Sequence, residues 1–234
     1  MPHRTNAVNG AAVTVSLRRD WLVTLGALAL LAGWDMARWD LPLMHALGNI
    51  NGFAWHEAAA LRWLHSAGRA VGWAALAWMI WITFSAPQHR DLNARYWLGI
   101  TVLCLLVINA LKYTSSTSCP WDLAEFGGVT PYVSHWTLRL HDSGPGHCFT
   151  SGHASAAFAF FSCYFKQRRV DAGRAKRYAS VVWAAGLVLS LTQIARGAHY
   201  PSHALWTAWL CWSICCAADT ALRLKGQSRI ALRA

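Results

Sequence analysis

The sequence predicts an all-α fold: an integral membrane bundle of six transmembrane helices, with an external loop and an interfacial helical segment. Three observations carry this. Of 234 residues, 55% are hydrophobic and only 13% charged, against about 25% charged in ordinary soluble domains. The apolar residues gather into six runs, 21–34, 71–84, 97–111, 154–165, 180–194 and 204–222. The basic residues collect between alternate runs. The whole chain, 1–234, reads as a single membrane domain with no room for a second sizeable one.

Taken in order, run 21–34 follows Arg18 and Arg19 and is closed by Asp35, Arg38 and Asp40 rather than by a small-residue cleavage site. It is expected to be a retained first helix, not a signal peptide. Segment 41–64 holds Asn49, Asn51, His56, Glu57 and Arg62; it is too polar to span and reads as interfacial or re-entrant. Several of the six runs fall short of the roughly 20 residues a spanning helix needs, and flanking small and aromatic residues extend them. Segment 113–149 is the longest stretch outside the runs, and its Trp121, Phe126, Tyr132, Trp136 and Phe149 predict a loop packed down on the membrane face. Segment 166–178 reads as a solvated basic connector. Trp34, Trp39, Trp97, Trp121, Trp136 and Trp206 lie near span ends, where indole rings are favoured at headgroup level.

Of 21 Lys and Arg, 15 fall in 1–20, 86–96, 166–178 and 222–234. This alternation is the positive-inside pattern. It places both termini in the cytoplasm and loops 37–69, 112–150 and 196–203 outside, on the periplasmic face of a bacterial-type inner membrane. The net charge of +11 does not indicate a nucleic-acid partner, because the basic clusters are short and split by spans. The seven cysteines show no CxxC spacing. Five lie inside the runs; Cys119 and Cys148 share one external loop, where disulfides form. A bridge between them, closing the loop that carries the site, is expected.

Three polar motifs stand at the mouths of apolar runs, where ionisable groups are costly and mark function. Lys112 ends the third run and precedes a hydroxyl-rich stretch from Tyr113 to Ser118; its compact charge suits phosphate oxygens. Thr150, Ser151, Gly152 and His153 precede the fourth run. Ser151 is a candidate N-cap, Gly152 allows close backbone approach, and His153 is placed to protonate a leaving oxygen. Arg196 to His203 joins the fifth and sixth runs. Arg196 offers a planar fork for phosphate, Pro201 suits the first turn of a helix, and His199 is the candidate nucleophile.

With these residues the chain resembles the type 2 phosphatidic acid phosphatase superfamily, over roughly residues 70–220. That family carries Lys-x6-Arg-Pro, Pro-Ser-Gly-His and Ser-Arg-x5-His-x3-Asp. Here the first appears as Lys112, six residues, Cys119 and Pro120, and the second as Thr150, Ser151, Gly152 and His153. The third appears as Thr192, Gln193, five residues, His199, three residues and His203. The resemblance implies a metal-independent, cofactor-free phosphatase acting on a phosphorylated lipid. Lys112, Ser151 and Gly152 hold the phosphate, His153 is the general acid, and His199 forms a phosphohistidine that water releases. Cys119 and Gln193 stand where the family has arginines, Thr150 where it has proline, and His203 where it has the aspartate that orients the nucleophile. Arg196, one helical turn from Gln193, is expected to compensate, with Arg139 as a further source of charge. His203, four residues after His199, is expected to orient it; Asp122, Glu125 and Asp142 are the alternative carboxylates.

Other readings stay open. The site could pass phosphate to a second lipid. His199 and His203, with His135, His141, His147 and His153, could hold a metal or haem, although no HExxH glutamate accompanies them. The substituted motifs also allow a non-catalytic lipid-binding or transport protein.

Overall fold

A computed structural model of the chain describes residues 3–85, 91–137, 143–168 and 170–231. Helix α1 (His3–Met36) leads to a short α2 (Asp40–His45) and a two-stranded hairpin, β1 (Gly48–Asn49) and β2 (Gly52–Phe53). The long helices α3 (Ala59–Ser85) and α4 (Leu92–Thr114) follow. After the loop come α5 (Gly152–Phe158), α6 (Phe161–Gln167), α7 (Ala172–Ala195) and α8 (Pro201–Ala231). The fold is all-α apart from the hairpin. Among the described residues, four helical stretches are long and apolar enough to cross a membrane: α3, α4, α7 and Pro201–Lys225 of α8.

The fourth apolar run is not one uninterrupted helix. At its middle the Phe160 N–H donates to the Ala157 carbonyl (3.0 Å) and the Cys163 N–H to that of Phe160 (2.9 Å). These i→i−3 bonds tighten the ladder and separate α5 from α6. Both pack on α7, and glycines permit the close approach. A Cβ on Gly186 would lie 2.2 Å from the Phe158 ring, and one on Gly68 2.2 Å from Leu189. Small residues that let helices meet are the usual device of membrane bundles. The core between α4, α5, α6 and α8 holds Trp97, Cys104, Ile108, Phe158, Phe161, Phe165, Cys211 and Cys215. Trp97 is therefore a core residue and not an interfacial anchor. Trp206 is likewise buried and donates to Asp35 (2.8 Å).

The polar segment 41–64 divides: α2 and the hairpin take up its first part, while its last residues already belong to α3. The long loop packs against α2, the hairpin and the turn before α8. Leu123 and Phe126 close over Met44, Phe53 and Tyr200, and Gly197, with φ of 75°, leaves the space that the Phe53 ring fills. Cys119 and Cys148 are joined by a disulfide. At the opposite end, the basic connector is not wholly solvated. Arg168 is nearly buried and donates to Asp20 (2.8 Å) and Asp219 (2.6 Å), while Arg223 donates to Asp219 (2.7 Å). This clasp ties the end of α6 to α1 and α8.

Candidate active site

The ends of five helices meet on one face. Lys112 sits in the last turn of α4, and a Cβ placed on Gly152 would lie 3.6 Å from its Cδ. Its stem thus runs past the start of α5. Ser151 caps α5: its Oγ accepts from the Ala154 N–H (3.4 Å), as the N-cap pattern requires, and its own hydroxyl proton is still available to a ligand. Its N–H donates to Thr207 Oγ1 (3.0 Å) and to the His203 carbonyl (3.3 Å). The α5 start is thereby stitched to α8.

His199 occupies the turn between α7 and α8 and is 3% exposed. Its Nδ1 lies 3.6 Å from Cys148 Sγ, so Nε2 is the nitrogen on offer. Burial, reinforced by the positive charge of Lys112, holds its pKa well below the ordinary histidine value, with the Cys148 backbone opposing the shift. A neutral imidazole is the form that attacks phosphorus. The His153 and His199 rings are 6.5 Å apart, centroid to centroid. Two histidines from separate motifs are thus close enough to flank one phosphoryl group.

Arg196 caps the end of α7. Its Nε donates to the His56 carbonyl (3.1 Å) and its Nη1 to His65 Nδ1 (3.4 Å). Gln193 also reaches His65, so the one-turn spacing does bring positions 193 and 196 to a common place. Arg139 and Asp142 lie outside the described residues.

His203 does not touch His199 in the expected way. The rings are 5.9 Å apart and edge-on, and His203 Nδ1 bonds the Cys148 carbonyl (2.9 Å). The reason is local: α8 begins at Pro201, so His199 precedes the helix and the i,i+4 contact rule does not reach it. His203 instead steadies the Cys148 backbone, against which His199 rests. The two described loop carboxylates are engaged elsewhere. Asp122 caps the turn after Cys119, accepting from its N–H (3.1 Å), and Glu125 pairs with His45 (2.7 Å).

Two residues escaped the sequence reading. Asp40 is buried and accepts from Trp34 Nε1 (3.0 Å), from the Ser202 N–H (3.0 Å) and from the Ser202 hydroxyl. It fixes the turn that carries His199, and burial pushes its carboxyl pKa up. His65, at the start of α3, has its Nε2 3.1 Å from His153 Nε2. The polar stretch singled out in the sequence stopped at Leu64, one residue short of it.

A metal centre is poorly served by this geometry. Among the described residues, the cluster whose ligand atoms converge is Cys119, Cys148 and His199, within 4.8 Å of one another. Its two sulfurs are bonded to each other, so neither is the thiolate that a metal binds.

Apolar helices whose ends bring together several histidines, a lysine and an arginine define a multi-pass helical membrane protein. The family pattern of the PAP2 superfamily matches residues 93–224, more than half of the chain, and the chain belongs to that superfamily, whose members are typically phosphatases. No individual curated protein and no solved structure matches the chain.

Proposed function

We propose that this protein is a membrane lipid phosphatase, hydrolysing a phosphate or pyrophosphate monoester of a lipid at the periplasmic face of a bacterial-type inner membrane. In this reading α1, α3, α4, the α5–α6 pair, α7 and α8 are six spans, and both termini are cytoplasmic. Lys112, Arg196, Ser151 and Gly152 hold the phosphoryl oxygens. His199 Nε2 attacks phosphorus, the bond to the leaving oxygen breaks with its electron pair on that oxygen, and His153 supplies the proton. Water then attacks the phosphohistidine and releases inorganic phosphate.

The observation that carries the reading is the 6.5 Å pairing of the His153 and His199 rings beside the Lys112 stem, three motifs distant in sequence and adjacent in space. The lipid class is supported by an apolar cleft of about 580 Å³ between α3, α5, α6 and α7, whose wall includes Leu64, Gly68, Val71, Ala156 and Leu189. Its wall residue Leu64 is the sequence neighbour of His65, and the cleft suits an acyl or prenyl chain whose headgroup enters the site.

The test is phosphate release from a panel of lipid phosphates (phosphatidate, phosphatidylglycerophosphate, polyprenyl pyrophosphate) by purified protein in micelles, with His199→Ala as the blank. Release by the native chain, loss of at least about 10³-fold in the variant, and an acid-labile phosphoryl label on His199 are expected. Equal release by both proteins would refute the assignment.

A further inference from the structure

We propose that His65 is a positioning residue that ties phosphate binding at Arg196 to the protonation of His153; this rests on the phosphatase reading above. The three groups form a chain. Arg196 Nη1 lies 3.4 Å from His65 Nδ1, and His65 Nε2 lies 3.1 Å from His153 Nε2, with the two rings 4.0 Å apart. A guanidinium only donates. His65 Nδ1 therefore accepts, its proton sits on Nε2, and that N–H donates to His153 Nε2. His153 is left with one proton, on Nδ1, which is buried without a partner among the described residues. A neutral imidazole in that state donates a hydrogen bond but cannot give up its proton, because an imidazolate would remain. While Arg196 holds His65, His153 is disarmed as an acid.

A bound phosphoryl group changes the competition. Its anionic oxygens are stronger acceptors for the Arg196 fork than a neutral ring nitrogen. Once Arg196 turns to them, His65 Nδ1 is free to carry the proton, and Gln193, whose side chain interacts with His65, offers an amide oxygen to accept it. His65 Nε2 then presents a lone pair to His153 Nε2, and His153 takes one proton from a hydronium ion of the solvent, which is left as water, and becomes imidazolium. The charged groups facing the pair are Lys112 from α4, Arg69 from α3 and Arg196 from α7, all cationic. The His65 lone pair is the group in this set that favours the charged His153. During transfer the bond from phosphorus to the leaving oxygen breaks, the nitrogen–phosphorus bond to His199 forms, and His153 gives its extra proton to the leaving oxygen and returns to neutral. Gln193 thereby gains a role in the place where the family motif has an arginine.

The experiment compares two leaving groups in the full-length protein: n-dodecyl phosphate, whose alkoxide must be protonated, and p-nitrophenyl phosphate, whose phenolate leaves unaided. General acid catalysis contributes about 10²–10⁴-fold. His65→Ala is expected to lose about 10²-fold in kcat on dodecyl phosphate and less than about threefold on the aryl ester. His65→Gln, which restores an acceptor near the Nε2 position, is expected to recover part of the dodecyl rate. The aryl rate of the same preparation reports whether the variant is folded. Equal losses on both substrates, or none on either, would overturn the proposal. A native chain that releases phosphate from neither ester or from any lipid of the panel sinks the phosphatase reading itself, and the coupling with it.

Discussion

At the scale of single residues, the substituted motif positions invite a question of compensation. Among the described residues Arg196 is engaged by His56 and His65, and its charged fork is the group for which a bound phosphate competes with the neutral His65 ring. Arg196→Ala is expected to lower kcat/KM on the best lipid substrate by about 10²–10³-fold, the range for losing one preorganised donor. Arg196→Lys should restore only part, because a point charge does not reproduce the fork; full turnover by the alanine variant would exclude Arg196 from phosphate binding. His199 makes a second prediction, of pH dependence. Its folded pKa lies well below the ordinary value because of burial and the Lys112 charge, so below about pH 6.5 the unfolded chain binds a proton that the folded chain refuses. Stability therefore falls as pH drops through that value. Melting in micelles between about pH 8 and pH 5 should show this decline, and His199→Gln should flatten part of it; an unchanged slope would count against the assignment. Lys112, His153 and His199 were legible in the sequence because each is an ionisable residue at the mouth of an apolar run. Asp40 and His65 were not, because their meaning comes from partners 162 and 88 residues away, which no local pattern encodes.

At the scale of elements, the loop between α4 and α5 is the least regular part of the described chain, and its Cys148 packs against His199. Its order has identifiable sources. The disulfide closes it across a separation of 29 residues, and Cys148 belongs both to that bridge and to the wall behind His199. Trp136 Nε1 pins its far side to Asp35 (2.8 Å). Chain-entropy arguments assign a bridge of this span ~3–4 kcal/mol. The double variant Cys119→Ser, Cys148→Ser is expected to unfold at a correspondingly lower denaturant concentration in micelles, and dithiothreitol should shift the native chain in the same direction. A midpoint insensitive to both would mean that packing of Leu123, Phe126 and Tyr200 alone holds the loop. The sequence announced this loop by its length, its aromatics and its two extramembrane cysteines. It did not announce the break between α5 and α6, because the run from Ala154 to Phe165 holds no Gly or Pro and the tightening occurs at Ala159 and Phe160, neither of which is a helix breaker.

For the whole molecule, the lengths of the helices bear on where the chemistry takes place. Residues 152–167 stay helical apart from the tight turn, and at about 1.5 Å per residue they cover about 24 Å, less than the roughly 30 Å of a hydrocarbon core. If this pair is a span, its two ends lie inside the headgroup boundaries, and each end holds a buried polar cluster. The His153, His199 and Lys112 group is at one end; Arg168 with Asp20 and Asp219 is at the other. The second cluster satisfies at depth the charges that water would otherwise solvate. Removing Arg168 would take a nearly buried cation from Asp20 while Asp219 keeps Arg223; breaking such a buried pair typically costs about 3–5 kcal/mol. In the proposed reading the first cluster meets a lipid's phosphate near the membrane boundary rather than above it. Such an arrangement requires Glu57, beside the active-site face, and Lys176, just beyond the clasp, to lie on opposite sides of the bilayer. Both are exposed, so cysteines introduced there in turn report the topology. In intact cells with a permeable outer envelope, a membrane-impermeant maleimide should label Glu57→Cys above the background of the parent chain. Lys176→Cys should react only after the inner membrane is opened. Labelling of both from the same side would place the two clusters on one face and remove the six-span arrangement on which the periplasmic site depends.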